Sequence, residues 1–170
     1  MKKAYNFLLS LASTSPMILI FAVNAQIVIL PAMQPCRFYM LIFFCIILIN
    51  AIGMFSFRFL SKDSIEGRLR DIELANSSFL PSYLGYFFVA VSITRMDTFL
   101  LVYGLTVLLV MLSQSMYYNP FLLLFHYNFY HATDENGTRI FLITKKKIRT
   151  IQSDGFEKLR RINDVTYIEI

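Results

Sequence analysis

Four long apolar runs divide this 170-residue chain, and the basic residues between them alternate in density. Lys2 and Lys3 precede the first run, and Arg37 alone separates it from the second. Arg58, Lys62, Arg68 and Arg70 follow the second, Arg95 alone lies between the third and fourth, and the last eight follow the fourth. Fourteen of the sixteen thus fall on one side of an alternating path and two on the other. Cytoplasmic loops retain excess Lys and Arg, so the pattern predicts four spans with both termini inside. The charged fraction of 16% sits below the roughly 25% of soluble domains. The net charge of +5 follows from this loop bias, so it points to the lipid bilayer and its anionic inner leaflet and not to nucleic acid.

The runs predict spans over about 7–30, 38–60, 79–94 and 98–117. A cleaved signal is the rival for the first, with Val23-Asn24-Ala25 as its site. The apolar run outlasts a signal core of about 7–15 residues and continues through Ile27-Val28-Ile29-Leu30, which favours a span. Pro16 is expected to kink that helix, and Pro81 to sit in the first turn of the third. The few residues around Arg95-Met96-Asp97 make the last two spans an antiparallel hairpin. No span carries a charge at its middle, which argues against pumps, proton relays and voltage sensors. Asn24, Gln26 and Asn50 are the central polar candidates. As ordinary residues they glue helix to helix; as functional ones they would line an oligomer axis or a wet pore.

Between the second and third spans, residues 61–76 read as an amphipathic helix on the inner surface. Ile65, Leu69 and Ile72 share a helical face, and Asp63 with Glu66 resembles a capping box. Residues 119–170 read as a small cytoplasmic α+β tail. Phe125, Tyr127 and Phe129 alternate with polar neighbours as in a strand, and Asn136-Gly137 signals a hairpin that would set Asp134 opposite Arg139. A short helix near Asp154–Arg161 and a strand at Val165–Ile170 complete it. The expected fold class is therefore an α-helical membrane protein, four transmembrane helices followed by a small cytoplasmic α+β C-terminal domain.

Candidate contact residues for lipid or a partner are Lys145, Lys146, Lys147 and Arg149 in the tail, with Arg68 and Arg70 in the inner loop. His126 and His131 are five apart on an expected strand, facing opposite sides, and no cysteine accompanies them, so no metal is expected. Cys36 reads as a free thiol and Cys45 as packing. No phosphate loop, nucleophile elbow or paired intramembrane carboxylates occur, so neither catalysis nor a cofactor is expected. A small oligomeric channel or transporter subunit is the competing function, and a membrane-disrupting toxin a third.

The junction Asn119-Pro120-Phe-Leu-Leu-Leu-Phe-His-Tyr-Asn-Phe-Tyr130, continuing through Glu135-Asn-Gly137 to Phe141-Leu-Ile-Thr-Lys-Lys-Lys147, carries a further signal. With the four-span plan it resembles the KwaA family, the membrane subunits of the Kiwa anti-phage defence system. The resemblance implies a bacterial inner-membrane sensor of envelope infection that assembles as a homo-oligomer, a tetramer. It implies a separate cytoplasmic effector, KwaB, that binds DNA in its place. It carries over no catalytic motif.

Overall fold

The computed structural model describes residues 2–30, 33–60, 69–78, 80–113, 119–134, 137–148, 159–163 and 165–169. Helices α1 (Lys2–Thr14) and α2 (Pro16–Asn24) are followed by α3 (Pro35–Phe55) and a 3-10 turn at Ser56–Phe59. Strand β1 (Leu69–Leu74) precedes α4 (Leu80–Ser92), α5 (Met96–Leu112) and the short α6 (Pro120–Leu124). Strands β2 (Asn128–Asp134), β3 (Arg139–Thr144), β4 (Leu159–Arg161) and β5 (Thr166–Glu169) complete the chain. Two compact units result: Met1–Gly53 with Phe79–Asn119, and Met54–Ser78 with Pro120–Ile170.

In the helical unit, proline chemistry acts where the sequence placed it. Pro16 has no N–H to donate to the Ala12 carbonyl. Ser15 Oγ donates to that oxygen instead, at 2.6 Å, and Tyr83 of α4 donates its hydroxyl to the Ser13 carbonyl. The break between α1 and α2 is thus satisfied from both sides. Met17, Phe21, Ala90 and Phe99 form the buried centre, with Phe21 and Phe99 stacked at 3.9 Å.

The first helical segment stops at Asn24, six residues short of the expected end at Leu30. The cause is a left-handed helix cap. Gln26 has φ +52°, its N–H donates to Val23 O, and Ile27 N–H reaches back to Ala22 O at 2.9 Å. The segments Asn6–Asn24 and Pro35–Phe55 are long and apolar enough to cross a membrane. The other two apolar helices are shorter, 13 residues in α4 and 17 in α5, against the roughly 20 a straight span needs. Residues 114–117 of the expected fourth span lie outside the described residues.

The inner loop corrects its expectation. Residues 69–74 are a strand and not part of an amphipathic helix. Strand alternation runs through Asp71, Ile72, Glu73 and Leu74, and a bulge between Leu69 and Asp71 absorbs the residue that made Leu69 and Ile72 look helical. Asp63 and Glu66, the supposed capping box, lie outside the described residues.

The five-stranded mixed sheet has the order β1-β2-β3-β5-β4. All pairings are antiparallel except β3 with β5. The expected β2–β3 hairpin forms, with Gly137 at φ +79°, but Arg139 faces Thr133 and not Asp134, which pairs with Leu69. Asn136 lies outside the described residues. The first tail strand starts later than expected. Pro120 opens α6, and His126 (φ +64°) caps it with the hydrogen-bond pattern of Gln26: His126 N–H to Leu123 O and Tyr127 N–H to Leu122 O. The expected helix at Asp154–Arg161 is corrected over its last three residues, which form β4; residues 154–158 lie outside the described ones. The expected strand at Val165–Ile170 appears as β5.

Phe129, Leu142, Ile143 and Ile168 are fully buried in the sheet's centre. Ile72 of β1 packs against the Tyr130–Leu142–Leu159 cluster, so loop and tail share one core.

Candidate functional site

Among the described residues, two groups of polar and charged side chains bear on the expected site residues, one in each unit. In the helical unit, Asn50 is 4% exposed. Its amide donates to Ile46 O at 2.9 Å and Ser15 Oγ at 3.4 Å, and its carbonyl oxygen accepts from Asn119 Nδ2 at 2.6 Å. Ser10, Ser13 and Thr14 are buried beside the break, their hydroxyls returned to helix carbonyls; Thr14 also meets the Tyr103 hydroxyl at 3.3 Å. Short hydroxyl side chains in apolar runs disappear into hydropathy averages, which is why they drew no notice in the sequence. Asn24 is exposed and donates to Val91 O at 2.8 Å and Ile93 O at 3.1 Å, closing the C-terminal end of α4. Gln26 is the exposed cap residue described above. No hydrogen bond among the described residues joins Asn24 or Gln26 to Asn50; each serves a different contact.

The second cluster surrounds the turn after β3. Lys146 N–H donates to Thr144 Oγ1 at 3.0 Å. The Tyr130 hydroxyl donates to Lys146 O at 3.4 Å and accepts from Ile148 N–H at 3.1 Å. The backbone of the lysine run is therefore held by two side chains from the sheet. Lys146 Nζ lies 2.6 Å from Glu169 Oε1, and the Thr144 hydroxyl bonds the other carboxylate oxygen. Lys145 Nζ sits 4.9 Å from the centre of the Tyr127 ring, within cation–π range. Lys147 is exposed with no ion-pair partner among the described residues.

Beside this turn is a half-open pocket of about 410 Å³, lined by Met54, Phe55, Phe57, Tyr127, Lys145, Lys146 and Glu169. Glu169, Tyr127 and Thr144 were not legible as site residues, because they come from strands and a turn that only the sheet assembles. Arg70 lies in β1, and Arg68 and Arg149 lie outside the described residues. Arg160 donates to Leu60 O at 2.6 Å, fastening β4 to the start of the inner loop.

Among the described residues, no group of three or more His, Cys, Asp or Glu side chains is placed to hold a metal ion. His126 occupies the helix cap and His131 lies in β2 against the Phe141 ring, so the two do not share one strand as expected.

A family model described as anti-phage protein KwaA matches residues 5–168. The chain belongs to the KwaA family. No curated protein and no solved structure gives a significant match. The KwaA match takes in every helix from α2 to α6 and strands β1 to β4 entire, so it covers the helical unit and the sheet alike. KwaA membership assigns the chain a role in phage defence.

Proposed function

We propose that this protein is the membrane-embedded subunit of a bacterial anti-phage defence complex, a non-enzymatic sensor and scaffold. It crosses the inner membrane four times with both termini inside, assembles as a homo-oligomer, a tetramer, and recruits or regulates a cytoplasmic DNA-binding effector, KwaB.

The observation that carries this reading is the pairing of β1 with β2. β1 belongs to the loop after α3, and β2 to the tail after α5 and α6. Strands of one sheet lie on one side of a membrane, so α4 and α5 between them make an even number of crossings. That parity agrees with the four-span plan, and the excess of Lys and Arg in the same two segments favours the cytoplasmic side. The helices expose apolar surface of the kind lipid covers: Met40, Phe44 and Ile52 of α3 and Leu101, Leu109 and Leu112 of α5 are each more than half exposed. Helices without a charge at their middle suit reception in the membrane, and a basic sheet unit suits recruitment of a partner.

Phage plating on cells carrying this gene, its genomic neighbour, both or neither tests the reading. Protection only with both genes is expected; equal protection by this gene alone would remove the effector from the scheme. Replacing Lys145, Lys146, Lys147 and Arg149 by alanine is expected to weaken co-purification of the partner, and unchanged recovery would move the docking surface elsewhere.

A further inference from the structure

We propose that the pocket between the end of α3 and the Lys145–Lys146 turn binds the phosphate headgroup of an anionic phospholipid, an inference that rests on the membrane reading above. Met54 and Phe55 are the last residues of a 21-residue apolar helix. If that helix spans, the pocket opens where hydrocarbon gives way to headgroups, on the side holding fourteen of the sixteen basic residues.

The lining is divided in the way an amphiphile is. Met54, Phe55 and the buried Phe57 form an apolar wall, and Tyr127 adds a ring that is 7% exposed. Lys145 and Lys146 are the cations of the same lining. A soluble anion would gain nothing from the apolar wall, whereas the glycerol and first methylenes of a lipid would. The volume of about 410 Å³ falls within the roughly 300–1,000 Å³ of small-molecule sites.

Charge bookkeeping favours a singly charged headgroup. Glu169 is occupied by Lys146 and the Thr144 hydroxyl, which fixes Lys146 in place. Lys145 rests over the Tyr127 ring and is the cation left to meet a phosphate. Two ammonium groups and one carboxylate leave the pocket with one net positive charge, which complements a phosphodiester. Lys147, one residue further on, does not line the pocket and serves as an internal control.

The full-length protein, purified in detergent and stripped of lipid, is titrated with dioleoylphosphatidylglycerol or dioleoylphosphatidylcholine in mixed micelles. Bound lipid is counted by native mass spectrometry. Phosphatidylglycerol is expected to bind about fivefold or more tightly over the zwitterionic lipid, and Lys145→Gln to erase about that factor. Lys145→Gln with Lys146→Gln is expected to lose more, Lys145→Arg with Lys146→Arg to keep binding, and Lys147→Gln to change little. Should the double glutamine variant fail to fold, Lys145→Gln alone decides, since its side chain is exposed and lacks an ion pair among the described residues. Equal loss in Lys147→Gln would mean diffuse surface charge and overturn the site. Displacement of the lipid by inorganic phosphate or glycerol 3-phosphate would mean a soluble anion and overturn it too. Carbonate extraction separates this from the broader reading. Release of the protein from membranes would sink the four-span plan, whereas retention with lysine-independent lipid binding would sink the pocket alone.

Discussion

The two units of this chain solve burial in opposite ways. In α3, a helix of 21 residues, the buried residues are Phe38, Ile46, Asn50 and Gly53, while Met40, Phe44, Ile52 and Phe55 lie outward. In the sheet, Phe129, Leu142, Ile143 and Ile168 are shut away, and Lys145, Lys146 and Lys147 in the turn after β3 are exposed. The outward surface of the helical unit would aggregate in water, and those lysines would be costly in hydrocarbon. Polar groups follow the same division. The helical unit buries hydroxyls and amides and returns each to a partner within the chain, whereas the sheet unit holds an ion pair at the edge of a pocket. The two units thus present surfaces of different kinds, and the division between them falls near Gly53 and Asn119.

The largest effect separates the two cores. Phe129 is completely buried and packs on Phe141 at 5.7 Å. Phe129→Ala is expected to destabilise the sheet unit by about 3–5 kcal/mol. Phe44→Ala, at a position 60% exposed, is expected to cost under about 0.5 kcal/mol in detergent. Thermal unfolding of both variants in the same detergent checks the pair. Equal losses would mean that α3 is covered by protein, and the contrast between the units would fall.

Next in size is the buried amide pair. Asn119→Ala leaves Asn50 Oδ1 short of the donor that approaches it at 2.6 Å, in surroundings where both residues are nearly inaccessible. An orphaned buried acceptor costs about 1–3 kcal/mol, although membrane-embedded pairs average nearer ~0.6. A double-mutant cycle with Asn50→Ala isolates the interaction, and a coupling of about 0.5 kcal/mol or more is expected. A coupling of zero would leave Asn50 available for the oligomer axis or pore that its sequence position also allowed.

What the sequence disclosed follows how local each signal is. The break at Pro16, the start of α4 at Leu80-Pro81, the hairpin near Gly137 and the final strand are each written in a few adjacent residues, and each is present. The early end of the first helical segment and the late start of the first tail strand both come from left-handed caps, at Gln26 and His126, where glycine is the usual marker. β1 escaped notice because a bulge disrupted its alternation and because its partner lies about sixty residues downstream in the tail. The lysine run was visible as a charge cluster. Its neighbour Glu169 was not, since a parallel β3–β5 pairing brings it there and no local pattern encodes that crossover, while Tyr127 arrives through the β2–β3 register that sets Asn128 opposite Thr144.

A smaller effect tests the site's own electrostatics. Lys146 and Glu169 have side-chain exposures of 58% and 11%, so water screens only one partner well. Glu169→Gln removes the ion pair while keeping a group that can bond the Thr144 hydroxyl. The expected loss is about 1 kcal/mol or less after discounting for the exposed lysine. Restoration by pairing Glu169→Gln with Lys146→Met would assign that loss to an unpaired ammonium. No restoration would assign it to the turn's geometry, and Glu169 would then matter as a strut for the backbone.

The smallest effect is expected from the other ion pair, at the turn between α4 and α5. Arg95 and Asp97 meet at 2.6 Å, yet their side chains are 77% and 65% exposed. The Arg95 guanidinium holds the Asp97 carboxyl below its ordinary range, with the Thr98 backbone N–H assisting. A carboxyl lowered in the folded state adds stability that is present above its unfolded pKa and is lost as pH falls through the lowered value. Solvent and salt screen so open a pair, so that contribution should be too small to detect. Asp97→Asn is expected to melt with the parent at neutral pH, and the difference between them should stay at zero as the pH is lowered through the carboxylate range. A gap that appears only at neutral pH and closes in acid would show that the turn is shielded from water. Contact with a neighbouring subunit would then be the simplest source of that shielding, and the contrast between a screened pair at this turn and a half-buried pair at the pocket would no longer hold.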